Sequence, residues 1–542
     1  MFENIFNGRL MEMEPFKAKD LLKRYAEEKN KGKIIDMSRG DPSFPPSIKV
    51  QKVFACLTTL ATIIQEKIGQ KNSVLWHLNE ENVEDARKEL KKYFPEEWIA
   101  LTEKTIKKIK NLIKGTSTTQ LFIDIIRGLQ STGYGDVSGE SEVRATISWY
   151  LKKKFEIDIP PENIILTLGA AEAIGKLFDL LRDPHKLNYL SPHHLIGTIS
   201  PVYGPYNDIV WSPRVACKPV PLNIDPTTCE PTDHHISLFK EAICGKELSM
   251  FILVNPNNPT GRIFSENTLQ KIAEELLKPI KRCLVVEDIV YADFAQGRFC
   301  SISKFLPEKT IIIGSLSKYF RATGNRLGYI AFSKKCEEYL NKEVFKWTLK
   351  SIAEDVYKIP EMGIVEYFKI AKSPDPSGAL YHTHLCPKVA QYLGLLKLIL
   401  DDGKSYHKEM LNRWSYFYKS LGMDHMITSS NDFVPYYCLV DFKELINKIN
   451  EREKKFESLN NAIKNEEITP EHFLTFLAEK GLVVMPAGGF YIPGEGERRD
   501  KDKYWVVRFS VANVEMEHIE KAVNIINNSL KELEEKLKKI KS

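Results

Sequence analysis

Lys318, at the end of an apolar strand, is the residue of this chain best suited to covalent chemistry. It lies in Ser315-Leu316-Ser317-Lys318-Tyr319-Phe320-Arg321-Ala322-Thr323-Gly324-Asn325-Arg326, directly after Thr310-Ile311-Ile312-Ile313-Gly314, which reads as a buried parallel strand. A primary amine delivered by a rigid strand, with a second cation at Arg326, suits covalent capture of an aldehyde. Alone, it would read as a solvated strand-end lysine.

Three further segments ask for the same ligand. Asn255-Pro256-Asn257-Asn258-Pro259-Thr260-Gly261 follows the strand-like Met250 to Val254, which places a turn where open α/β sheets bind ligands. The Asn258 amide can donate to a phenolate oxygen. Arg282 to Tyr291 is another apolar strand ending in an acid; Asp288 is placed to pair with a protonated ring nitrogen, and Tyr291 to share the phenolate with Asn258. Ile164 to Ile174 runs strand, small residues, helix, so the backbone N–H groups of Gly169, Ala170 and Ala171 can cup a phosphate. Ser315, Ser317 and Arg326 would complete that cup. Taken singly, each segment reads as an ordinary turn, cap or core piece. Together they describe a site for pyridoxal 5'-phosphate.

In order and spacing the four segments resemble the fold-type I aminotransferases of class I/II. The resemblance implies that Lys318 carries the cofactor, Asp288 binds its pyridine nitrogen, and Asn258 and Tyr291 bind its phenolic oxygen. It further implies that Tyr203, in Ser200-Pro201-Val202-Tyr203-Gly204, stacks on the ring and that Tyr134, in Gly133-Tyr134-Gly135-Asp136, reaches the phosphate of a neighbouring subunit. Arg508, in Trp505-Val506-Val507-Arg508-Phe509-Ser510, matches the arginine that grips a substrate α-carboxylate. Ala171 stands where many members have a hydroxyl residue, so it offers only its backbone N–H.

Two end segments resemble the aspartate 4-decarboxylases more closely. These are Pro15 to Leu22 with Ser38-Arg39-Gly40-Asp41-Pro42, and Val483 to Phe490 leading into Arg508 to Asn513. Tyr381-His382-Thr383 falls where that family carries a related pair. The likeness implies β-decarboxylation of L-aspartate to L-alanine and carbon dioxide beside aspartate transamination, with Lys19, Arg39 and Gly40 around the substrate. Three departures stand out: Pro376 where an arginine is expected, the plain Pro-Thr-Gly turn after Asn258, and a long charged loop from Gly494 to Lys503. The alternative is an ordinary aminotransferase for aspartate, an aromatic amino acid or alanine. A cofactor-binding regulator would need a basic helix-turn-helix module, which the chain before residue 130 does not present.

Composition agrees with a large globular enzyme. The 542 residues carry 43% hydrophobic and 27% charged side chains and a net charge of +5, too mild to argue for nucleic acid. Nine scattered cysteines without a Cys-x-x-Cys pair argue against a disulfide framework or a zinc cluster. No secretory leader or apolar run of membrane-spanning length is read, and the expected location is cytoplasmic.

The elements that must position these groups form an α/β pattern. Strands alternate with helices over 131–385, predicting a mostly parallel sheet covered on both faces as the cofactor-binding domain. Residues 386–542 read as a smaller α+β domain, with strands at Phe433 to Leu439, Leu482 to Met485 and Tyr504 to Ser510. Residues 1–50 read as an arm joining it, and 51–130 as an added helical segment. The stretch Phe442 to Lys464 reads as a surface helix or insertion. Tyr134's expected reach makes the protein at least a homodimer.

Overall fold

A computed structural model describes all residues except 1–5, 7–9, 12, 43, 69–79, 114, 131–133, 183–186, 188, 212–214, 216, 371–385, 494–500 and 542. Its strands are, in chain order, β1 (Ile35–Asp36), β2 (Ile164–Thr167), β3 (Leu195–Ser200), β4 (Lys218–Asn223), β5 (Leu248–Val254), β6 (Leu284–Asp288), β7 (Thr310–Ser315), β8 (Gly328–Phe332), β9 (Tyr437–Asp441), β10 (Leu482–Val483), β11 (Met485–Pro486) and β12 (Val506–Ser510).

Seven of these make the main sheet, in the order β2-β8-β7-β6-β5-β3-β4. Only β8 runs against its neighbours. The expected parallel sheet is therefore present, and its central strands β5, β6 and β7 are buried almost end to end because both faces are covered. On one face Ile311, Ile313, Val286, Ile252 and Met250 pack with the helix Ala170–Arg182. On the other, Phe251, Leu253 and Val285 join the helix Asp233–Ile243, while Ile312 and Ala331 join a second core that extends into the C-terminal region. Parallel alignment collects the C-terminal ends of β2, β3, β5, β6 and β7 along one edge, together with the start of the reversed β8. That edge is where such sheets bind ligands.

The segment from 48 to 129 forms the helices Ile48–Ile68, Glu80–Glu89, Glu96–Lys110 and Thr118–Leu129. All but Glu80–Glu89 lie against the helix Lys388–Leu400, which also packs on Ser141–Phe155. Gly128 allows the closest of these approaches, since a Cβ there would overlap the Tyr392 ring.

Beyond the main sheet, β11-β12-β9 form a three-stranded antiparallel sheet and β1 pairs in parallel with β10. The chain start is thus stitched to its C-terminal part: Ile35 lies beside Leu482, and the Asn513 amide donates to the Asp36 carbonyl at 2.7 Å. Two sequence readings need correction. Leu482 to Met485 is not one strand: it divides at Val484 into β10 and β11, which serve different sheets. Phe442 to Lys464 is not simply a surface piece but two amphipathic helices, Phe442–Glu453 and Glu457–Lys464, that bury Leu445, Ile446, Leu459 and Ile463. No helix among the described residues is long and apolar enough to cross a membrane.

Candidate active site

Three neighbouring strands deliver the central groups. Val254 of β5 lies beside Asp288 of β6, and Asp288 beside Ile313 of β7, so Asp288 and the turns that carry Asn258 and Lys318 emerge together at the C-terminal edge of the sheet. The Lys318 ammonium donates to the Gly40 carbonyl at 2.8 Å, which ties it to the N-terminal segment.

The turn that carries Lys318 is gripped from behind. The buried Lys397 ammonium donates to the Phe320 and Arg321 carbonyls at 2.9 and 3.2 Å. Arg321, whose φ of 50° is left-handed, pairs with buried Asp401, and the Tyr319 hydroxyl donates to the Asp402 carbonyl at 2.6 Å. This clamp turns a loop into a rigid platform for the amine.

Asp288 is 4% exposed and forms no ion pair among the described residues. It accepts hydrogen bonds from the Tyr206 hydroxyl and the Val290 N–H, each at 3.0 Å. Burial pushes its carboxyl up to about 6, while those two donors and the charge of Lys318 pull the other way. A buried carboxylate held by neutral donors and facing a crevice suits a cationic ring N–H.

Arg508 carries the opposite charge under similar conditions. It is 2% exposed, and no carboxylate pairs with it among the described residues. Its guanidinium donates to the Asn258 side-chain oxygen at 3.1 Å and to the Ser38 carbonyl at 3.2 Å, and its Nε has no partner. The guanidinium also lies 4.1 Å from the Tyr437 ring centroid. Such a desolvated cation suits an anion. Because the Asn258 oxygen accepts from arginine, its amide N–H groups remain for a ligand oxygen.

A third charge lies on the turn before β8. Arg326, exposed and left-handed at φ 55°, donates to the Leu168 carbonyl at 2.9 Å and the Thr323 carbonyl at 3.1 Å. A Cβ on Gly169 would come within 2.7 Å of this guanidinium, and one on Gly328 within 2.5 Å of the Gly169 backbone. The glycines let the arginine lie directly against the start of the helix Ala170–Arg182, where Ala171 is exposed. Ser315 and Ser317 form a linked hydroxyl pair at 2.8 Å. In their chemistry the buried carboxylate, the lysine, and the hydroxyls and arginine beside a helix N-terminus fit pyridoxal 5'-phosphate.

The remaining sequence-derived residues fall in different places. Tyr203 is half-buried beside Phe16, with ring centroids 6.2 Å apart, and burial raises its hydroxyl to about 12. Tyr291 is buried, its hydroxyl 2.9 Å from that of Tyr437. Gly40 accepts from both Lys318 and the Tyr436 hydroxyl. Arg39 is exposed and bidentate on Asp41, at 2.9 and 2.5 Å. Lys19, one helical turn beyond Phe16, pairs with Asp20 at 2.5 Å. Tyr134 is 75% exposed. Tyr381, His382, Thr383, Pro376 and residues 494–500 of the charged loop lie outside the described residues. Tyr206, Tyr436 and Tyr437 were not singled out from sequence. The three-residue helical spacing from Tyr203 was a signal for Tyr206.

Comparison with known proteins bears on the family and the fold. The model of the family "Aminotransferase class I and II" matches residues 100–526. A bifunctional aspartate aminotransferase and L-aspartate beta-decarboxylase from a Pseudomonas species is 25% identical over 351 residues, 61% of this chain and 62% of that protein. A probable N-acetyl-LL-diaminopimelate aminotransferase from Bacillus subtilis is 30% identical over 213 residues, 39% of this chain and 50% of that protein. These matches span between half and two thirds of the relatives' lengths. Among solved structures, the aspartate aminotransferase of Rhizobium meliloti superposes with a TM-score of 0.58 at 14% identity, covering 96% of each chain. That of Thermotoga maritima gives 0.56 at 18% identity, covering 96% of this chain and 97% of its own. The chain belongs to the class I and II aminotransferases, has their fold-type I architecture, and is an enzyme dependent on pyridoxal 5'-phosphate.

Proposed function

We propose that the protein transfers the amino group of L-aspartate to a 2-oxo acid and, in the same site, removes the β-carboxylate of aspartate to give L-alanine and carbon dioxide. The observation that carries the amino-acid reading is Arg508, a buried guanidinium with no carboxylate partner among the described residues, held on the Ser38 carbonyl two residues before the Gly40 carbonyl that Lys318 contacts. The bifunctional Pseudomonas relative favours the second activity.

The bound cofactor supplies an electron sink for the pair left on a substrate carbon when a proton or carbon dioxide departs. Lys318 would hold the cofactor and, once released, move the proton at Cα. Asp288 would keep the ring nitrogen protonated. Asn258 and Tyr291 would donate to the ring oxygen, while Gly169, Ala170, Ser315, Ser317 and Arg326 hold the phosphate, with Ala171 in a lesser part. Tyr203 would cover the ring. Arg508 would orient the α-carboxylate so that the Cα–H bond faces the lysine.

For decarboxylation, the bond between Cβ and the distal carboxylate would break with the electron sink already described, and a protein group at the site would return a proton to Cβ. Lys19 and Arg39 are the candidate distal contacts. A substrate carboxylate must displace Asp41 from Arg39, and such a loose hold favours departure over retention of the ground state. The proposed division of labour follows the chain: 131–385 hold the cofactor, 386–542 with the arm 1–50 supply Arg508, and 51–130 brace them. Exposed Tyr134 would reach a second copy, giving at least a homodimer.

Purified protein is mixed with L-aspartate, with and without a 2-oxo acid, while carbon dioxide, alanine and oxaloacetate are measured. Equal carbon dioxide and alanine without an acceptor is the expected result. Amino transfer without carbon dioxide would remove the decarboxylase reading and leave the aminotransferase; neither product would sink both.

A further inference from the structure

Tyr437, on β9, lies between the cation that suits the substrate and the tyrosine that faces the cofactor. It is 3% exposed. Its ring underlies Arg508, with the guanidinium carbon 4.1 Å from the ring centroid, and its hydroxyl oxygen is 2.9 Å from that of Tyr291. Gly40 closes the third side, because a Cβ there would overlap the Tyr437 hydroxyl. The adjacent Tyr436 is committed elsewhere, its hydroxyl donating to the Gly40 carbonyl at 2.7 Å.

Two phenols in contact share one proton between their oxygens, and each has a single proton to give. The inference rests on the cofactor reading above, in which Tyr291 donates to the ring oxygen. The proton between the two tyrosines must then belong to Tyr437. Burial first, and the neighbouring Tyr437 next, push the Tyr291 hydroxyl well above the ordinary phenol range, so it keeps its proton to donate.

We propose that Tyr437 is a positioning residue that tunes the cofactor: it donates to Tyr291, which donates to the ring oxygen. No proton is gained or lost in this relay. Hydrogen bonds in series polarise one another, so the Tyr437 bond makes Tyr291 a better donor. A better donor favours negative charge on the ring oxygen, and with it the unprotonated form of the nitrogen joining Lys318 to the cofactor. The same ring stacks on Arg508, so Tyr437 links the substrate-carboxylate contact to the cofactor's electronic state.

The test is the pH titration of the visible absorption of the cofactor-loaded protein, for wild type, Y437F, Y291F and the double variant. Phenylalanine keeps the ring under Arg508 and removes only the hydroxyl. Y437F should raise the midpoint by roughly half a pH unit, about a threefold change in proton affinity. Y291F should raise it further, and the double variant should titrate with Y291F. KM for the amino acid should stay within about twofold in Y437F, since Arg508 keeps its stack. A Y437F midpoint equal to wild type, or shifts that simply add in the double variant, would overturn the relay. A wild-type protein with no such band overturns the cofactor reading and the relay with it. Should Y437F not fold, Tyr437→3-fluorotyrosine supplies a stronger donor of nearly the same size and must lower the midpoint; an unchanged or raised value contradicts the proposal.

Discussion

Arg508 and Asp288 are both buried, opposite in charge, and without ion-pair partners among the described residues. Isolated charges in a protein interior are costly, and the simplest offset is a ligand bearing the complementary charges. Replacing Arg508 with glutamine removes a charged, bidentate contact worth about 1.5–3 kcal/mol. R508Q should therefore lower kcat/KM for the amino acid roughly ten- to a hundredfold while the cofactor absorption persists. Steady-state kinetics beside a spectrum checks this, and an unchanged kcat/KM would place the α-carboxylate elsewhere. At this scale the sequence was informative where chemistry is local. Lys318, Asp288 and Asn258 each follow an apolar strand within a few residues, so their direction could be read from the run before them. Tyr437 could not be read this way, because its contacts with Tyr291 and Arg508 arise from the pairing of β9 with β12 and the packing of β9 on a distant turn. Arg39 and Lys19 could be placed near the site, but their pairing with Asp41 and Asp20 depends on side-chain geometry that a motif does not carry.

The turn between β7 and β8 is the element on which the site depends. A lysine that must meet a cofactor atom needs a backbone that does not drift, and the Arg321–Asp401 pair supplies that from the far side. Its side chains are only 6% and 4% exposed, so D401N would leave a buried guanidinium uncompensated. The expected cost is about 3–5 kcal/mol. Denaturant unfolding should show it as a lower midpoint, and R321M/D401L should cost less than D401N; equal losses would mean the charges are not the cause. Sequence periodicity located the added helical segment of 51–130, because helices such as Glu96–Lys110 pair an apolar stripe with a charged face. It read Leu482 to Met485 as continuous because two-residue strands have no period, and their division between two sheets is a tertiary fact. The high charge from Phe442 to Lys464 hid an apolar stripe that becomes visible only when the two helices are aligned separately.

Across the whole molecule, three carboxyls on β6 and just after it are raised mainly by burial: Glu287 to about 7, and Asp288 and Asp293 to about 6. Their ordinary values lie near 4. The folded protein therefore holds more protons than the unfolded chain between about pH 4 and 7, and these groups weaken folding as the pH rises through that window. On the proposed reading, bound cofactor would give Asp288 a cationic partner and offset its share of that loss. The melting-temperature gap between cofactor-loaded and cofactor-free protein should widen from pH 5 to pH 8, and D288N should flatten the trend. A gap that is constant with pH would show that Asp288 does not meet the cationic ring. The parallel sheet was legible because strands buried on both faces are mostly apolar runs, whereas the joining of β1 to β10 involves residues more than four hundred positions apart and leaves no local trace.

The central claim is that one amine, on the clamped turn opposite Asp288, holds the cofactor. Borohydride reduction of the loaded protein followed by peptide mass spectrometry tests it directly. A pyridoxyl group on the peptide containing Lys318, absent in K318A, is the predicted result; labelling of another lysine, or of none, would contradict the account.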